Sequence, residues 1–226
     1  MSEDSLFREV DEEVRREQLA KLWQRYGNYV VAVSLLVIVV VAGIKGWQYW
    51  QTRQAEAAGA AYQQALTQLE AGKTDEAQQT FAEVASGSHK GYAALARLQV
   101  AAALAERGET AEAVAAYDKV AADASVDQEL RDLARVRAGY LLAGSASPEE
   151  LETRLRPLDR PNSQWTNAVR EIRGIAAYRA GDFGLADRLM NEILVDPQAP
   201  QGMRQRAQMM VQLLQPVLPG KTAATN

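Results

Sequence analysis

The chain has 226 residues, with 25 basic and 29 acidic side chains and a net charge of −4. It contains no cysteine, which excludes disulfides, thiolate metal sites and cysteine nucleophiles. No region gathers a basic stripe with interleaved aromatics, so nucleic-acid binding has little support.

The first segment, residues 1–28, is a charged head. Leu6, Phe7, Val10 and Val14 recur at helical spacing, and Leu19, Leu22 and Trp23 follow. Charges of both signs lie between them. The segment fits an amphipathic or frayed helix, either a solvated lead-in to the next segment or a docking or regulatory element.

Tyr29 to Ile44 is an uncharged aliphatic row broken only by Ser34 and Gly43. Its sixteen residues rise about 24 Å as a helix, short of the ~30 Å hydrocarbon core of a bilayer. The flanks supply the rest. Trp23, Tyr26 and Tyr29 stand on one side, Trp47, Tyr49 and Trp50 on the other, and Lys45 can extend its ammonium outward. From Trp23 to Trp47 is about 36 Å of helix, enough to reach both headgroup zones. A transmembrane helix over residues 29–50 is therefore expected. A buried core helix would carry more polar positions. A cleaved signal peptide would begin with a short basic head, and Ala55-Glu56-Ala57 lies ten residues beyond the run. Arg15, Arg16, Lys21 and Arg25 precede the run, whereas only Lys45 and Arg53 follow closely. This four-to-two bias places the N-terminus in the cytoplasm. The cluster Trp47, Tyr49, Trp50 is an interfacial belt or, on a sharper reading, a contact for another membrane protein.

Residues 51–219 carry an internal repeat. Gly72-Lys73-Thr74-Asp75-Glu76-Ala77, with Phe81 and Val84, returns 36 positions later as Gly108-Glu109-Thr110-Ala111-Glu112-Ala113, with Tyr117 and Val120. A further 36 reaches Gly144, where the copy is irregular. Pro148 opens its second helix, and Leu151, Leu155 and Leu158 form the apolar face. The last copy reads Gly181-Asp182-Phe183-Gly184-Leu185-Ala186, then Met190, Ile193 and Asp196-Pro197, with Gly174 as the small residue of its first helix. Each unit reads as helix, glycine turn, helix. The glycine allows a left-handed cap, the alanine a close approach, and the aromatic or methionine fills the groove. Such hairpins bury their faces only by stacking, which predicts a short α-solenoid. Gln201 to Leu218 is expected to cap the open end, stopped by Pro216 and Pro219, with residues 220–226 as a loose tail.

No chemistry-bearing constellation emerges. His89 is the only histidine and lies in a loop-like Ser86-Gly87-Ser88-His89-Lys90-Gly91 stretch. Glu149 and Glu150 fit the first turn of a helix. Arg170, Arg173 and Arg179 fit a salt-bridged surface better than a basic site, and Trp165 fits a core anchor better than an exposed partner contact. No glycine-rich segment makes a phosphate loop. No catalytic residue, cofactor, metal or small-molecule substrate is expected.

The repeat resembles the tetratricopeptide repeat (TPR), whose usual period is about 34. The whole chain also resembles the ancillary subunit of the bacterial Sec translocon, the YfgM family. Gly46-Trp47-Gln48-Tyr49-Trp50, Ala61-Tyr62-Gln63-Gln64-Ala65, Gly91-Tyr92-Ala93-Ala94-Leu95-Ala96, and Arg173-Gly174 with Ala180-Gly181-Asp182 carry that likeness. It implies an all-α protein, one transmembrane helix followed by a TPR-like solenoid. It further implies a non-enzymatic inner-membrane adaptor with a periplasmic domain, partnering the Sec translocon and a periplasmic chaperone. The other reading is an envelope assembly or stress-regulatory protein acting through its head.

Overall fold

The computed structural model describes residues 3–161 and 163–218, and side chains from Trp23 onward except Val30. The expected tail at 220–226 lies outside these residues, as do the side chains of the head from Leu6 to Leu22. The chain forms two compact units, Met1–Gln54 and Ala55–Asn226.

The first unit holds most of helix α1, which runs Glu3–Glu70. From Val31 to Ile44 its large aliphatic side chains are exposed; Leu36 and Val39, for example, are 64% and 68% exposed. No other element of this unit packs on them among the described residues. The helix is long and apolar enough to cross a membrane.

The second unit starts with the end of α1 and, among the described residues, continues through eight further helices. These are α2 (Thr74–Ala85), α3 (Lys90–Glu106), α4 (Thr110–Ala122), α5 (Gln128–Leu142), α6 (Pro148–Leu155), α7 (Thr166–Arg179), α8 (Phe183–Val195) and α9 (Gln201–Leu214). Short 3₁₀ turns follow α6 and α9. From α2 onward, consecutive helices pack on each other. In addition α3 touches α5, α5 touches α7 and α7 touches α9, so the first helices of successive hairpins form a continuous layer.

Three hairpin turns share one cap. Gly72, Gly108 and Gly181 have φ of 74°, 79° and 82°, in the left-handed region. At the first, the Gly72 amide donates to the Leu69 carbonyl and the Lys73 amide to the Gln68 carbonyl, each at 2.9 Å. Gly108 with Glu109, and Gly181 with Asp182, repeat the pattern. These are paired Schellman bonds that satisfy otherwise orphaned carbonyls. Gly144 does not adopt this conformation. Beyond it, Ser147 caps α6 by accepting from the Glu150 amide at 3.2 Å, and Pro148 occupies the first turn. The irregular third copy thus turns by a longer route, with Glu149 and Glu150 in the first turn as expected.

The repeat positions form the core. Ala77, Ala113 and Ala186 are wholly buried, and Phe81, Val84, Tyr117, Val120, Met190 and Ile193 are all buried beside them. Leu151, Leu155 and Leu158 are buried in the third copy. A Cβ added at Gly174 would lie 2.4 Å from the Met190 Cε, so glycine lets α7 and α8 meet around that side chain. The closing helix is shorter than expected. Regular helix ends at Leu214 and continues as a 3₁₀ turn over Gln215–Val217, because Pro216 lacks an amide donor.

Gly181→Ala forces an alanine into the left-handed region and should cost about 1–2 kcal/mol. Gly144→Ala meets no atom within 4 Å and has no positive φ, so it should be neutral or slightly stabilising. Chemical denaturation of the two variants side by side tests the difference.

Candidate functional site

Two regions hold the residues singled out by sequence. In the first unit, Trp47, Tyr49 and Trp50 lie on α1 and are 60%, 63% and 52% exposed. The i, i+3 spacing brings the Trp47 and Trp50 rings to 5.4 Å between centroids. One turn beyond Tyr49, Arg53 donates from Nε to its hydroxyl at 3.0 Å and lies 5.3 Å from the ring centroid. The result is an outward aromatic surface with a cation at its C-terminal edge.

In the stack, the sequence-singled residues mostly hold helices together. Arg170 pairs with Glu192 at 3.0 Å and with Asp196 at 3.3 Å, and Arg173 pairs with Glu152 at 3.1 Å. Arg179 is exposed at the end of α7. Trp165 is half-buried against the cluster around Leu151 and Ile172, with its indole Nε1 buried and lacking a hydrogen-bond partner. His89 lies in the loop between α2 and α3, as the sequence suggested, but it is not merely solvated. It is the N-cap of α3, its Nδ1 accepts from the Tyr92 amide at 3.4 Å, and its ring stands 5.3 Å from the Tyr92 ring.

The strongest polar cluster was not singled out by sequence. Glu171 on α7 is only 3% exposed. Tyr140 on α5 donates its hydroxyl to one carboxylate oxygen at 2.6 Å. Arg206 on α9 donates to both oxygens, from Nε at 2.6 Å and Nη2 at 2.8 Å. One carboxylate therefore joins three successive first helices through a bidentate pair and a phenol. Burial, and then the bond to Glu171, push the Tyr140 phenol far above its usual range. The Glu171 hydrogen bonds hold the Arg206 guanidinium charged. Asp132 on α5 is also fully buried. It accepts from Gln128 at 2.8 Å, from Arg135 at 2.9 Å and from Arg160, while Arg135 reaches the Ala121 carbonyl at the end of α4.

Two further pairs repeat. Arg97 on α3 meets Asp123 at the end of α4 at 3.0 Å, as Arg170 meets Asp196 at the end of α8. Ser125 hydrogen bonds, aided by Arg97, hold the Asp123 carboxyl below the usual aspartate range. For Asp196 the Gln198 amide contributes most, then Asn167 and Arg170. Among the described residues no His, Cys, Asp and Glu group has the arrangement of a metal site.

A family model described as a tetratricopeptide repeat-like domain matches residues 20–210. The chain belongs to this tetratricopeptide repeat-like family. The match takes in the apolar run of α1 together with the stack. No curated protein and no solved structure matches the chain. TPR-like domains are generally non-catalytic protein-interaction modules, so the stack points to protein–protein contacts.

Arg206→Leu leaves Glu171 buried without its cation. The cost should be about 2–3 kcal/mol, below that of a fully enclosed pair because Arg206 is half-exposed. Tyr140→Phe should cost about 1–2 kcal/mol. Urea denaturation measures both. Asp123 and Asp196 have folded pKa values below the ordinary 3.8. Their stabilisation is thus complete above that value and is lost as pH falls through the lower folded values. Asp123→Asn/Asp196→Asn should show a shallower fall in Tm on acidification below that point, as followed by circular dichroism.

Proposed function

We propose that this chain is a non-enzymatic adaptor anchored in the bacterial inner membrane by residues 29–50. Its head at 1–28 would be cytoplasmic and its TPR-like domain at 51–219 periplasmic. In this reading it assists Sec-dependent export by linking the translocon to a periplasmic chaperone. The observation that carries the proposal is the outward-facing aliphatic surface from Val31 to Ile44, continuous in sequence with a protein-binding stack. Exposed aliphatic surface on this scale is costly in water and favourable in hydrocarbon. Within lipid a helix also satisfies its own backbone.

The excess of Lys and Arg before the run supports a cytoplasmic N-terminus. The resemblance of Gly46 to Trp50 and of the helix-turn segments to the ancillary translocon family supports the Sec assignment. An anchor beside the channel raises the effective concentration of a modest binding surface. Trp47, Tyr49 and Trp50 would lie at the membrane exit, where amphipathic rings suit both headgroups and a neighbouring membrane protein.

Mild crosslinking in intact membranes followed by affinity isolation of the full chain should recover Sec channel components. Their absence would overturn the export assignment. Trp47→Ala/Trp50→Ala should lower that recovery while the chain still resists alkaline extraction from membranes. Release by alkali of the unaltered chain would overturn the anchor itself.

A further inference from the structure

The N-terminal ends of α3 and α5 enclose an open groove of about 690 Å³. This is the size of a site for several side chains rather than for an ion. Tyr92, Leu95 and Leu130 supply its apolar surface, His89 borders it, and Asp127 and Glu129 are its acidic residues. Tyr92 is held in place. Its ring stands 6.0 Å from Tyr62, which itself lies edge-on to Phe81 at 5.3 Å, and His89 closes the row. A Cβ at Gly59 would come within 2.8 Å of the Tyr92 hydroxyl, so α1 also restrains the ring from behind. An aromatic wall fixed before binding reduces the ordering cost of a complex.

The charge of the groove is one-sided. Asp127 is the N-cap residue of α5 but makes no side-chain cap bond, and among the described residues Glu129 accepts only from the neutral amide of Gln164. Both carboxylates are exposed, and among the described residues no cation pairs with either. Each helix N-terminus contributes only about half a positive charge, so two carboxylates outweigh the two ends. Lys90, the first residue of α3, does not line the groove.

We propose that this groove docks an extended protein segment carrying an aliphatic side chain next to a lysine or arginine. The aliphatic group lies on Leu95 and Leu130, and the cation sits between the Tyr92 ring and the Asp127 and Glu129 carboxylates. The ring face and the carboxylates attract the same charge. This deepens the adaptor reading and rests on its claim that the stack binds protein segments; it does not depend on the membrane anchor or the translocon.

The test uses the full chain in nanodiscs of zwitterionic lipid. Two fluorescein-labelled peptides serve as probes, one of alternating leucine and arginine spaced by glycine, the other with glutamate in place of arginine. Fluorescence anisotropy should show saturable binding of the arginine probe and none of the glutamate probe. The double variant Asp127→Asn/Glu129→Gln keeps the size of both side chains and an acceptor for Gln164. It should weaken binding about tenfold, and added salt should reduce binding to the unaltered chain. Leu95→Gln should weaken binding without changing the far-ultraviolet circular dichroism. Equal binding of both probes, an affinity unchanged in the double variant, or the same signal from protein-free nanodiscs would overturn the proposal. So would photo-crosslinking from position 92 that captures a second copy of this chain instead of the arginine probe. Recovery of Sec components is a separate measurement, so failure of the groove and failure of the export assignment are distinguishable.

Discussion

Alanine at the helix crossings is the constraint on which the stack depends. Ala77, Ala113 and Ala186 are wholly buried where each second helix meets its neighbours. A methyl side chain lets two backbones approach, and the larger residue four positions on, Phe81, Tyr117 or Met190, fills the adjoining groove. Interiors packed at crystal-like density tolerate neither a void nor an extra group at such a crossing. The left-handed glycines at the turns follow from the same demand. A hairpin must reverse tightly for the alanine to reach its seat, and glycine adopts that conformation without steric cost.

Polar chemistry then ties the hairpins into one array. Glu171 is a buried charge whose desolvation is offset by Arg206 and Tyr140, brought from helices on either side of its own. Such a cluster adds little to an inventory of stabilising terms, because burial of the ions opposes their attraction. Its geometric effect is larger. Neighbouring hairpins that slide or rotate would leave the carboxylate unpaired, so the cluster disfavours alternative registers of the first-helix layer. The Arg97–Asp123 and Arg170–Asp196 pairs act within single hairpins, joining a first helix to the end of its second. That layer also forms the apolar and acidic groove between α3 and α5. Rigidity in the stack and one-sided charge in the groove are therefore products of the same helix arrangement.

The apolar run of α1 belongs to a different physical regime. Its side chains meet no protein core among the described residues, and their exposure is of the kind water penalises. The stack instead satisfies its apolar faces internally. A division between an outward-facing apolar helix and a self-contained helical domain suits a protein whose position and binding surface are separate properties.

The sequence by itself determined the helical hairpins, their core and the exposed apolar run. These features depend on local periodicity and on glycine and alanine recurring 36 residues apart, which one dimension records. Even the irregular third copy was legible, because Pro148 and the spacing of Leu151, Leu155 and Leu158 mark it. Only the tertiary structure decided which polar residues matter. Glu171 and Arg206 are 35 residues apart, and Tyr140 and Glu171 are 31 apart. No local pattern separates Glu171 from the exposed acids around it. His89 was legible as a loop residue, but its cap bond and ring contact with Tyr92 were not. Burial and charge pairing depend on which helices meet, and only the stacked fold contains that information.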